Sequence, residues 1–330
     1  MFDGKRIAAV VPAYNEEGAI ARVLAAMPGL IDTIHVVDDC STDRTAEVIR
    51  QAAGTDPRVQ PVFLSQNSGV GGAIEAGYRA ALAAGADIAV VMGGDGQMDP
   101  AELPALLGPV ADGSADYAKG NRLVMGDSWR QIPTERFIGN AALSFLTKIA
   151  SGYWHVADSQ SGYTAINRRA LEALLEHGIY PRYGMPNDVL VKLNIHRMRV
   201  RDVPMRPVYG VGEQSKMRIP RVVLPIAWLL VRLFFRRLWE RYVVRDTHPL
   251  VLFYLAGLVL FPLGLLHVGF IAVTRIVLPW ILDPYGWLLP FLKMACTANA
   301  LVLAVTVMLA GLQLLLFAMW FDMADNQSVR

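Results

Sequence analysis

An acidic and amide-rich turn follows an apolar run near residue 90, and these side chain types suit metal and phosphate chemistry. Residues 88–92 are apolar and predict a buried strand, which ends at two glycines and is followed by Asp95, Gln97 and Asp99. Ligands of open α/β sheets bind beyond the carboxyl ends of strands, where glycines allow close backbone approach. The stretch predicts a site for a divalent cation and a diphosphate, although a plain surface turn also contains Gly-Asp-Gly.

Three strand–helix units precede this turn. Apolar runs at 7–11, 34–37 and 61–64 predict strands, and helical spacing follows each of them. Strands alternating with helices of roughly ten residues indicate βαβ units and a parallel sheet. A glycine-rich loop at 67–72 is expected to open a helix at Ala73. Its glycine spacing does not match the dinucleotide-binding fingerprint, which disfavours hydride transfer.

Composition separates the chain into a polar part and an apolar part. The sequence has 330 residues, of which 54% are hydrophobic and 18% charged, and the apolar runs lie mostly in the last third. A net charge of +2 gives no field that would attract nucleic acid. Cys40 and Cys296 lie in different parts, which makes a disulfide framework implausible. The short apolar run at 7–11 does not resemble a secretory signal, so we expect the polar part to be cytoplasmic.

The last third of the chain has the pattern of a membrane protein. Residues 221–245 are apolar with several arginines; Arg232, Arg236 and Arg241 fall near one helical face, as in a helix lying in a membrane interface. The alternative, an amphipathic helix packed on the soluble domain, is less favoured. Residues 250–273 and 294–321 are long and apolar enough to span a bilayer.

These segments predict the domain organisation and the orientation. We expect a cytoplasmic domain at 1–217, juxtamembrane amphipathic helices at 218–246, two transmembrane helices at 247–323 and a cytoplasmic tail at 324–330. The arginines before the first span place that side in the cytoplasm, so both termini are expected there in a multi-pass protein of the inner membrane. The hydrophobic helices could also support a homo-oligomer.

Seven motifs resemble those of family 2 glycosyltransferases with the GT-A fold, a nucleotide-diphospho-sugar transferase fold of Rossmann-like type. Within that family the chain is similar to the polyprenyl-phosphate glycosyltransferases, the group of dolichol-phosphate mannose synthase. The motifs occur in family order: VPAYNEE at 11–17, VDDCSTD at 37–43, NxGxGG at 67–72, GDGQ at 94–97, GNR at 120–122, DxQxGY at 158–163 and GEQSK at 212–216.

The resemblance implies a reaction, its ligands and its residues. A sugar would pass with inversion from a nucleotide-diphosphate sugar to a polyprenyl phosphate at the membrane, with Mg²⁺ or Mn²⁺ held by Asp95 and Gln97. Catalytic roles fall to Asp95, Arg122, Arg136, Asp158 and Asp188. Arg122, Arg136 and Asn140 would bind the acceptor phosphate. The nucleotide sugar would contact Pro12, Tyr14, Glu16, Asp38, Asp39, Asn67, Gly69, Gly72, Asp95, Gln160, Ser215 and Lys216.

Two departures from the family pattern leave the donor open. Gly93 stands where the family usually has the first Asp of an Asp-x-Asp motif, and Gln214 is an insertion in the usual Gly-Glu-Ser-Lys. UDP-glucose, UDP-N-acetylglucosamine and GDP-mannose all remain candidates, with a UDP-sugar slightly favoured. The alternatives are a family 2 transferase with another lipid or glycan acceptor, and a catalytically weak sugar-nucleotide-binding partner protein.

Overall fold

A computed structural model describes residues 1–124, 134–206, 219–277 and 297–329 of the chain. These residues form two compact units, of which one comprises Met1–Arg237 with Asn326–Arg330 and the other Leu238–Asp325. The first unit contains the motifs listed above that fall within the described residues.

A seven-stranded mixed sheet with the order β3-β2-β1-β4-β6-β5-β7 is the centre of the first unit. Strand β6 is antiparallel to β4 and β5, whereas the other pairs are parallel. The parallel sheet predicted from the first four strands is confirmed for β1 to β4, and β6 adds an antiparallel strand beside β4. The strands are β1 Ile7–Ala13, β2 Thr33–Asp38, β3 Val59–Phe63, β4 Ile88–Val91, β5 Tyr117–Asn121, β6 Thr164–Asn167 and β7 Val200–Pro204.

The reversal of β6 has a simple cause in the path of the chain. The carboxylate of Asp158 accepts a hydrogen bond from the backbone N–H of Arg122, which directly follows β5. The chain has thus returned to the carboxyl end of β5 shortly before β6 begins. A strand that starts at that edge must run opposite to β5.

Helices cover both faces of the sheet. Ile7, Ala9 and Val11 of β1 belong to one core cluster, and Ala8 and Val10 belong to the other. Because successive strand residues face opposite sides, a strand buried on both sides is apolar throughout. The helices are α1 Ile20–Ala25, α2 Thr45–Thr55, α3 Gly69–Ala83, α4 Leu103–Ala111, α5 Thr134–Ser151, α6 Arg168–Glu176 and α7 Met185–Ile195, with a 3₁₀ turn at Pro100–Glu102 before α4.

The helix α8, Ile219–Trp239, packs on the first unit along one face. Leu229 and Leu233 share a hydrophobic cluster with Val191 and Ile195 of α7. The fully buried Arg237 donates to the carbonyl oxygens of residues 149 and 150 at the end of α5. The less favoured alternative, a helix packed on the soluble domain, is thus correct for this face. The opposite stripe, Leu224, Trp228, Val231 and Phe235, is exposed.

The second unit is built on two long apolar helices, α9 Leu250–Ala272 and α10 Ala298–Asp325, which are long enough to be candidate membrane spans. Most of their buried residues recur every seven positions, with Tyr254 and Asp322 as the exceptions. Such a spacing keeps one seam of each helix against the other. The glycines in this seam allow close approach, since a Cβ on Gly264 would lie 2.4 Å from the backbone nitrogen of Met308. The seam comprises Leu250, Gly257, Gly264 and Ile271 of α9 and Ala304, Gly311 and Ala318 of α10.

A polar contact joins the segment before α9 to the end of α10. Arg241, which we expected on an interfacial face, is buried and donates to the carboxylate of Asp325. The Tyr242 hydroxyl donates to Asp322 at 2.7 Å. These partners explain the burial, because a buried cation or carboxylate needs hydrogen-bonded partners.

The last described residues belong to the first unit. The Asn194 side chain donates to Oδ1 of Asn326 at 2.6 Å, and both residues are buried. Val329 is part of the core cluster that lies under β1 and α3. A short 3₁₀ turn, Asn326–Val329, therefore completes the packing of a unit that begins at the N-terminus.

Candidate active site

A cleft opens beyond the carboxyl ends of β4 and β5. Gln97 comes from the turn after β4, Arg122 follows β5 directly, and Tyr163 immediately precedes β6. The predicted metal-binding turn and the predicted phosphate-binding arginine therefore line one cleft. The complete lining is Gln97, Met98, Asp99, Glu102, Arg122, Ser161, Gly162, Tyr163, Met205 and Arg206.

Arg122 is held in this cleft by Asp158. Its Nε lies 2.8 Å from Oδ2 and its Nη2 lies 3.3 Å from Oδ1, which makes a two-pronged pair. The Asp158 side chain is fully buried, whereas that of Arg122 is 27% exposed. Burial alone would raise the pKa of Asp158, but the charge and hydrogen bonds of Arg122 outweigh it and hold the pKa below its usual value. Asp158 thus stays ionised and fixes the direction of the guanidinium.

A second layer of charge lies behind this pair and was not predicted. Lys119 on β5 is buried and donates to the carbonyl of Ser161, and burial lowers the pKa of this lysine to about 8. Asp202 on β7 accepts from the Asn121 amide and from the backbone N–H of Ala157, both at 2.7 Å. Burial raises the pKa of Asp202 to about 6. Asp202 joins the strand that carries Arg122 to the loop that carries Asp158.

The turn after β4 presents oxygen atoms. Oδ1 of Asp95 accepts from the backbone N–H of Gln97 at 3.1 Å, which closes a tight turn. A Cβ on Gly93 would lie 2.9 Å from the same Oδ1, so a side chain at position 93 would require the Asp95 carboxylate to shift. One carboxylate and one amide oxygen remain. This set fits Mg²⁺ or Mn²⁺, because such ions take a few protein oxygens together with phosphate oxygens and water.

Asp39 anchors the start of α3. Its carboxylate accepts from the backbone N–H groups of Ser68 and Gly69 at 2.6 and 2.8 Å, and its carbonyl accepts from Asn67. Asp38 lies beside it at the end of β2 and accepts from Ser41. Helix α3 therefore begins at Gly69, four residues before the expected start at Ala73. The expected loop is in fact the first helical turn.

The next amides of α3 are bonded to the chain itself. Gly71 and Gly72 both donate to the carbonyl of Pro181, at 2.8 and 3.3 Å. The predicted nucleotide-sugar contacts at Gly69 and Gly72 thus involve residues whose amides already have partners in this structure. A nucleotide that accepted hydrogen bonds from these amides would have to displace their present acceptors, the Asp39 carboxylate and the Pro181 carbonyl. The glycines have a packing reason as well, since a Cβ on Gly71 would lie 2.0 Å from the Tyr180 carbonyl oxygen.

The loop after β1 lies at the same edge of the sheet. Pro12 is half-buried in the last part of β1, Tyr14 is exposed and Glu16 is half-buried. The backbone N–H of Glu16 donates to the Thr45 hydroxyl at 2.8 Å, and the carbonyl of Pro12 accepts from Gly94 of the predicted metal-binding turn. The loop at 14–16 is thereby bound to the start of α2, and Pro12 just before it is bound to the turn that holds Asp95.

Gln160 belongs to a buried polar network. Its amide nitrogen donates to the Ser159 hydroxyl and to Oδ1 of Asn187, which also accepts from Thr147. The Ser159 hydroxyl donates to the Ser144 hydroxyl at 3.1 Å. The network joins α5 and α7 to the loop that carries Asp158. Asn187 was not singled out in the sequence, because a lone Asn in a helix carries no spacing signal.

Asp188 lies in a different environment from the other acidic candidates. It is buried in the first turn of α7, where its Oδ2 accepts from Lys192 at 2.6 Å and from the backbone N–H of Tyr180 at 2.8 Å. This arrangement fixes the segment that precedes α7. Four further candidates are not placed: the side chains of Arg136 and Asn140, and Ser215 and Lys216 altogether, lie outside the described residues.

Comparison with known proteins identifies the family of the chain. The family model for glycosyl transferase family 2 matches residues 8–175. A similar protein from Methanococcus voltae is named UDP-N-acetylglucosamine–dolichyl-phosphate N-acetylglucosaminyltransferase; it is 32% identical over 62% of this chain and 86% of its own. An undecaprenyl-phosphate mannosyltransferase from Micrococcus luteus is 31% identical over 64% of this chain and 87% of its own.

A solved structure supports the fold. Glucosyl-3-phosphoglycerate synthase from Mycobacterium tuberculosis, solved with Mn²⁺ and UDP-glucose, superposes with a TM-score of 0.52 at 21% identity. The match covers 71% of this chain and 79% of that one. The mixed sheet is thus a GT-A sheet, as the motifs predicted. This chain is a glycosyltransferase that belongs to glycosyl transferase family 2.

Proposed function

We propose that the protein transfers a sugar from a nucleotide-diphosphate sugar to a polyprenyl phosphate, with inversion at the anomeric carbon. The observation that carries the proposal is Arg122, a partly exposed guanidinium held by a buried carboxylate in the cleft that Gln97 also lines. A guanidinium presents paired donors that suit phosphate oxygens. The names of the relatives from Methanococcus voltae and Micrococcus luteus support the same kind of reaction.

Arg122 would orient the acceptor phosphate. Asp158 keeps the guanidinium in place through two hydrogen bonds and has no exposed surface of its own, so it acts through Arg122. Arg136 and Asn140 are proposed to complete the phosphate site. They precede Ser144 in α5 by eight and four residues, which are spacings that keep positions on one helical face.

Asp95 and Gln97 would hold Mg²⁺ or Mn²⁺ through one carboxylate and one amide oxygen. When bound, such an ion neutralises negative charge on the diphosphate of the donor. The contribution of the chain is the tight turn between Asp95 and Gln97, of which Gln97 lines the cleft. Asp38, Asp39 and the loop at 12–16 are proposed to form the wall beside the nucleoside.

The transfer step needs little proton chemistry. A phosphate monoester has a second pKa of about 6, so the acceptor is already anionic at neutral pH. One of its oxygens attacks the anomeric carbon and forms a new C–O bond. The bond from that carbon to the donor diphosphate breaks, and the nucleoside diphosphate leaves with the electron pair. Catalysis then depends on positioning and on electrostatics, which Arg122 and its partners supply.

We propose a UDP-sugar as the donor. The relative from Methanococcus voltae is named for UDP-N-acetylglucosamine, although the one from Micrococcus luteus is named for mannose transfer. The single carboxylate of the metal-binding turn, with Gly93 in place of an acid, also departs from the mannosyl pattern. UDP-glucose and UDP-N-acetylglucosamine are the two UDP-sugars to compare, and GDP-mannose is the alternative donor.

We propose that the protein works at a membrane surface, with residues 1–217 and both termini in the cytoplasm. The exposed apolar stripe of α8 contains Trp228, which is 66% exposed, and a side chain of this kind favours a membrane interface. The two apolar helices of the second unit would serve as the anchor, within the proposed boundaries 218–246 and 247–323.

A donor panel tests the proposal. Purified full-length protein in detergent would receive polyprenyl phosphate, Mg²⁺ or Mn²⁺, and one radiolabelled sugar nucleotide at a time. We expect one donor to transfer label to the organic phase. Asp95→Ala should abolish this transfer, whereas Asp112→Ala, which removes an exposed carboxylate at the end of α4, should not. No lipid label from any donor, despite nucleotide binding, would overturn the proposal and favour a sugar-nucleotide-binding partner protein.

A further inference from the structure

Two neighbouring helices of the first unit end in the same way. His177 follows the last residue of α6, and His196 follows the last residue of α7. The next residue in each case is left-handed, with a φ of +64° at Gly178 and +54° at Arg197. Such a residue is a common helix terminator, and it is uncommon for a side chain as large as arginine. Both helix ends are therefore well defined, and each presents a histidine.

A carboxylate joins the two histidines. One ligand atom from each of Glu176, His177 and His196 lies within 4.8 Å of those of the other two. The two imidazole rings are 6.2 Å apart between centroids and inclined by 40°. Zinc bonds of 2.0–2.2 Å place tetrahedral ligands about 3.4 Å apart. Small rotations of the side chains, two of which are exposed, bring the three atoms to that spacing.

The local field favours a cation. The C-terminal ends of α6 and α7 both carry negative partial charge toward their histidines, and the Glu176 carboxylate adds a full charge. Arg79, which donates to the carbonyl of Leu175 at the end of α6, is already paired with Glu75 at 2.7 Å. Arg197 is exposed, so water and salt screen its charge.

We propose that Glu176, His177 and His196 bind a transition-metal cation, with Zn²⁺ as the best match and water completing the coordination. Two imidazole nitrogens and one carboxylate oxygen are ligands that suit Zn²⁺. Mg²⁺ and Ca²⁺ prefer sites made wholly of oxygen. The site is therefore chemically distinct from the oxygen-lined turn at Asp95 and Gln97.

The bound ion would brace the segment between the two helices. That segment begins at Gly178, whose carbonyl accepts from Lys192, and its Ile179 N–H donates to Glu75. The carbonyl of Pro181 in the same segment receives the N–H groups at the start of α3. A cation that ties the end of α6 to the end of α7 holds the start of this segment against α7, because the segment begins where α6 ends. We expect it to raise thermal stability.

Metal binding by the full-length protein in detergent tests the inference. Any polyhistidine tag is removed, the protein is stripped with a chelator, and excess Mg²⁺ is kept present to occupy oxygen sites. Calorimetric titration with Zn²⁺ gives the affinity and stoichiometry, and the visible absorption of added Co²⁺ reports the ligand set. The variants are His177→Gln, His196→Gln and their combination. Glu172→Gln, one turn earlier on the exposed side of α6, is the matched control.

We expect one Zn²⁺ per chain, an affinity at least about tenfold weaker in each histidine variant, and no change in Glu172→Gln. Zn²⁺ should raise the Tm of the wild type and of the control but not that of the double variant. Each metal-free variant is first checked for a cooperative melting transition, so that a loss of binding does not reflect misfolding. Absence of saturable Zn²⁺ binding, or equal affinity in the double variant, would overturn the inference.

Discussion

At the residue scale, Asp158 illustrates how burial decides what a carboxylate can do. A fully buried carboxylate beside a cation remains ionised and has no route to a substrate proton. Its two hydrogen bonds to Arg122 therefore define its role as positioning. Removing one member of such a pair lowers the stability of the protein by more than the intact pair adds to it, because the other charge is left without its partner.

Asp158→Asn should show this asymmetry. The amide keeps the shape but removes one acceptor and the charge, so we expect a loss of about 1–3 kcal/mol, reduced from the fully buried case because Arg122 is partly exposed. The KM for the lipid phosphate should rise and kcat should fall. Thermal melting and transfer kinetics measure both, with the exposed Asp112→Asn as control. Unchanged kinetics would show that Arg122 does not need this partner.

Asp202 gives a prediction about pH. Its pKa is raised to about 6 from the usual 3.8, so the folded state holds the proton more tightly than the unfolded chain. This contribution to stability is complete below pH 4 and is lost as the pH rises through about 6. In Asp202→Asn the loss should be absent, so its Tm should improve relative to the wild type between pH 4 and 7. A Tm difference independent of pH would contradict the assignment.

The sequence predicted some of the site residues and could not predict others. The motif positions Gln97, Arg122 and Asp158 were identified, and the structure places Gln97 and Arg122 in one cleft, with Asp158 bonded to Arg122. Lys119 and Asp202 were not identified. Their importance comes from burial next to Asp158, which depends on the pairing of β5 with β7, and no spacing along the chain reports that pairing.

At the element scale, the first turn of α3 is fitted to the segment before α7. A Cβ on Gly71 would lie 2.0 Å from the carbonyl oxygen of Tyr180. The N–H of Gly71 donates to the carbonyl of Pro181. The contact lies between two stretches of backbone, so neither side can yield by rotating a side chain. The glycines here serve close packing, whatever further role they have toward a ligand.

Gly71→Ala should therefore destabilise the protein. Overpacking of this kind costs about 1–3 kcal/mol, which corresponds to several degrees in Tm for a unit of this size. Gly108→Ala is the matched control, because Gly108 lies within α4 and has nothing within 4 Å of its Cβ position. The control should be neutral or slightly stabilising. Equal melting of the two variants would show that the α3 contact is easily relaxed.

Strands were predicted where they are apolar and missed where they are polar. The prediction was correct for β1 to β4 apart from small differences at their ends. Continuous apolar runs indicate strands buried on both faces, as β1, β2 and β4 are, whereas β3 at the edge of the sheet is only partly buried. The strands β5 and β6 contain Lys119, Asn121 and Thr164, which are nevertheless buried. Lys119 donates to Ser161 and Asn121 donates to Asp202, so these two polar side chains are satisfied beside the site. The part of the sheet nearest the site therefore has the weakest strand signal.

At the scale of the whole molecule, the sequence predicted a polar part followed by two apolar helices, and the described structure has both. It did not predict that the chain would return to the first unit. Asn326 and Val329 carry no pattern that distinguishes them from a solvated tail. Their packing depends on partners that lie far away in the sequence, such as Asn194 for Asn326.

That return has a consequence for the order of events during synthesis. The contact of Asn194 with Asn326 spans 132 positions, and everything that belongs to the second unit is translated between the two residues. Residues 1–237 emerge first and can collapse early, since domains form in the order in which they are made. Their core nevertheless receives the side chain of Val329 only after the whole of the second unit has been translated. The catalytic unit is thus finished after the helical hairpin has been made.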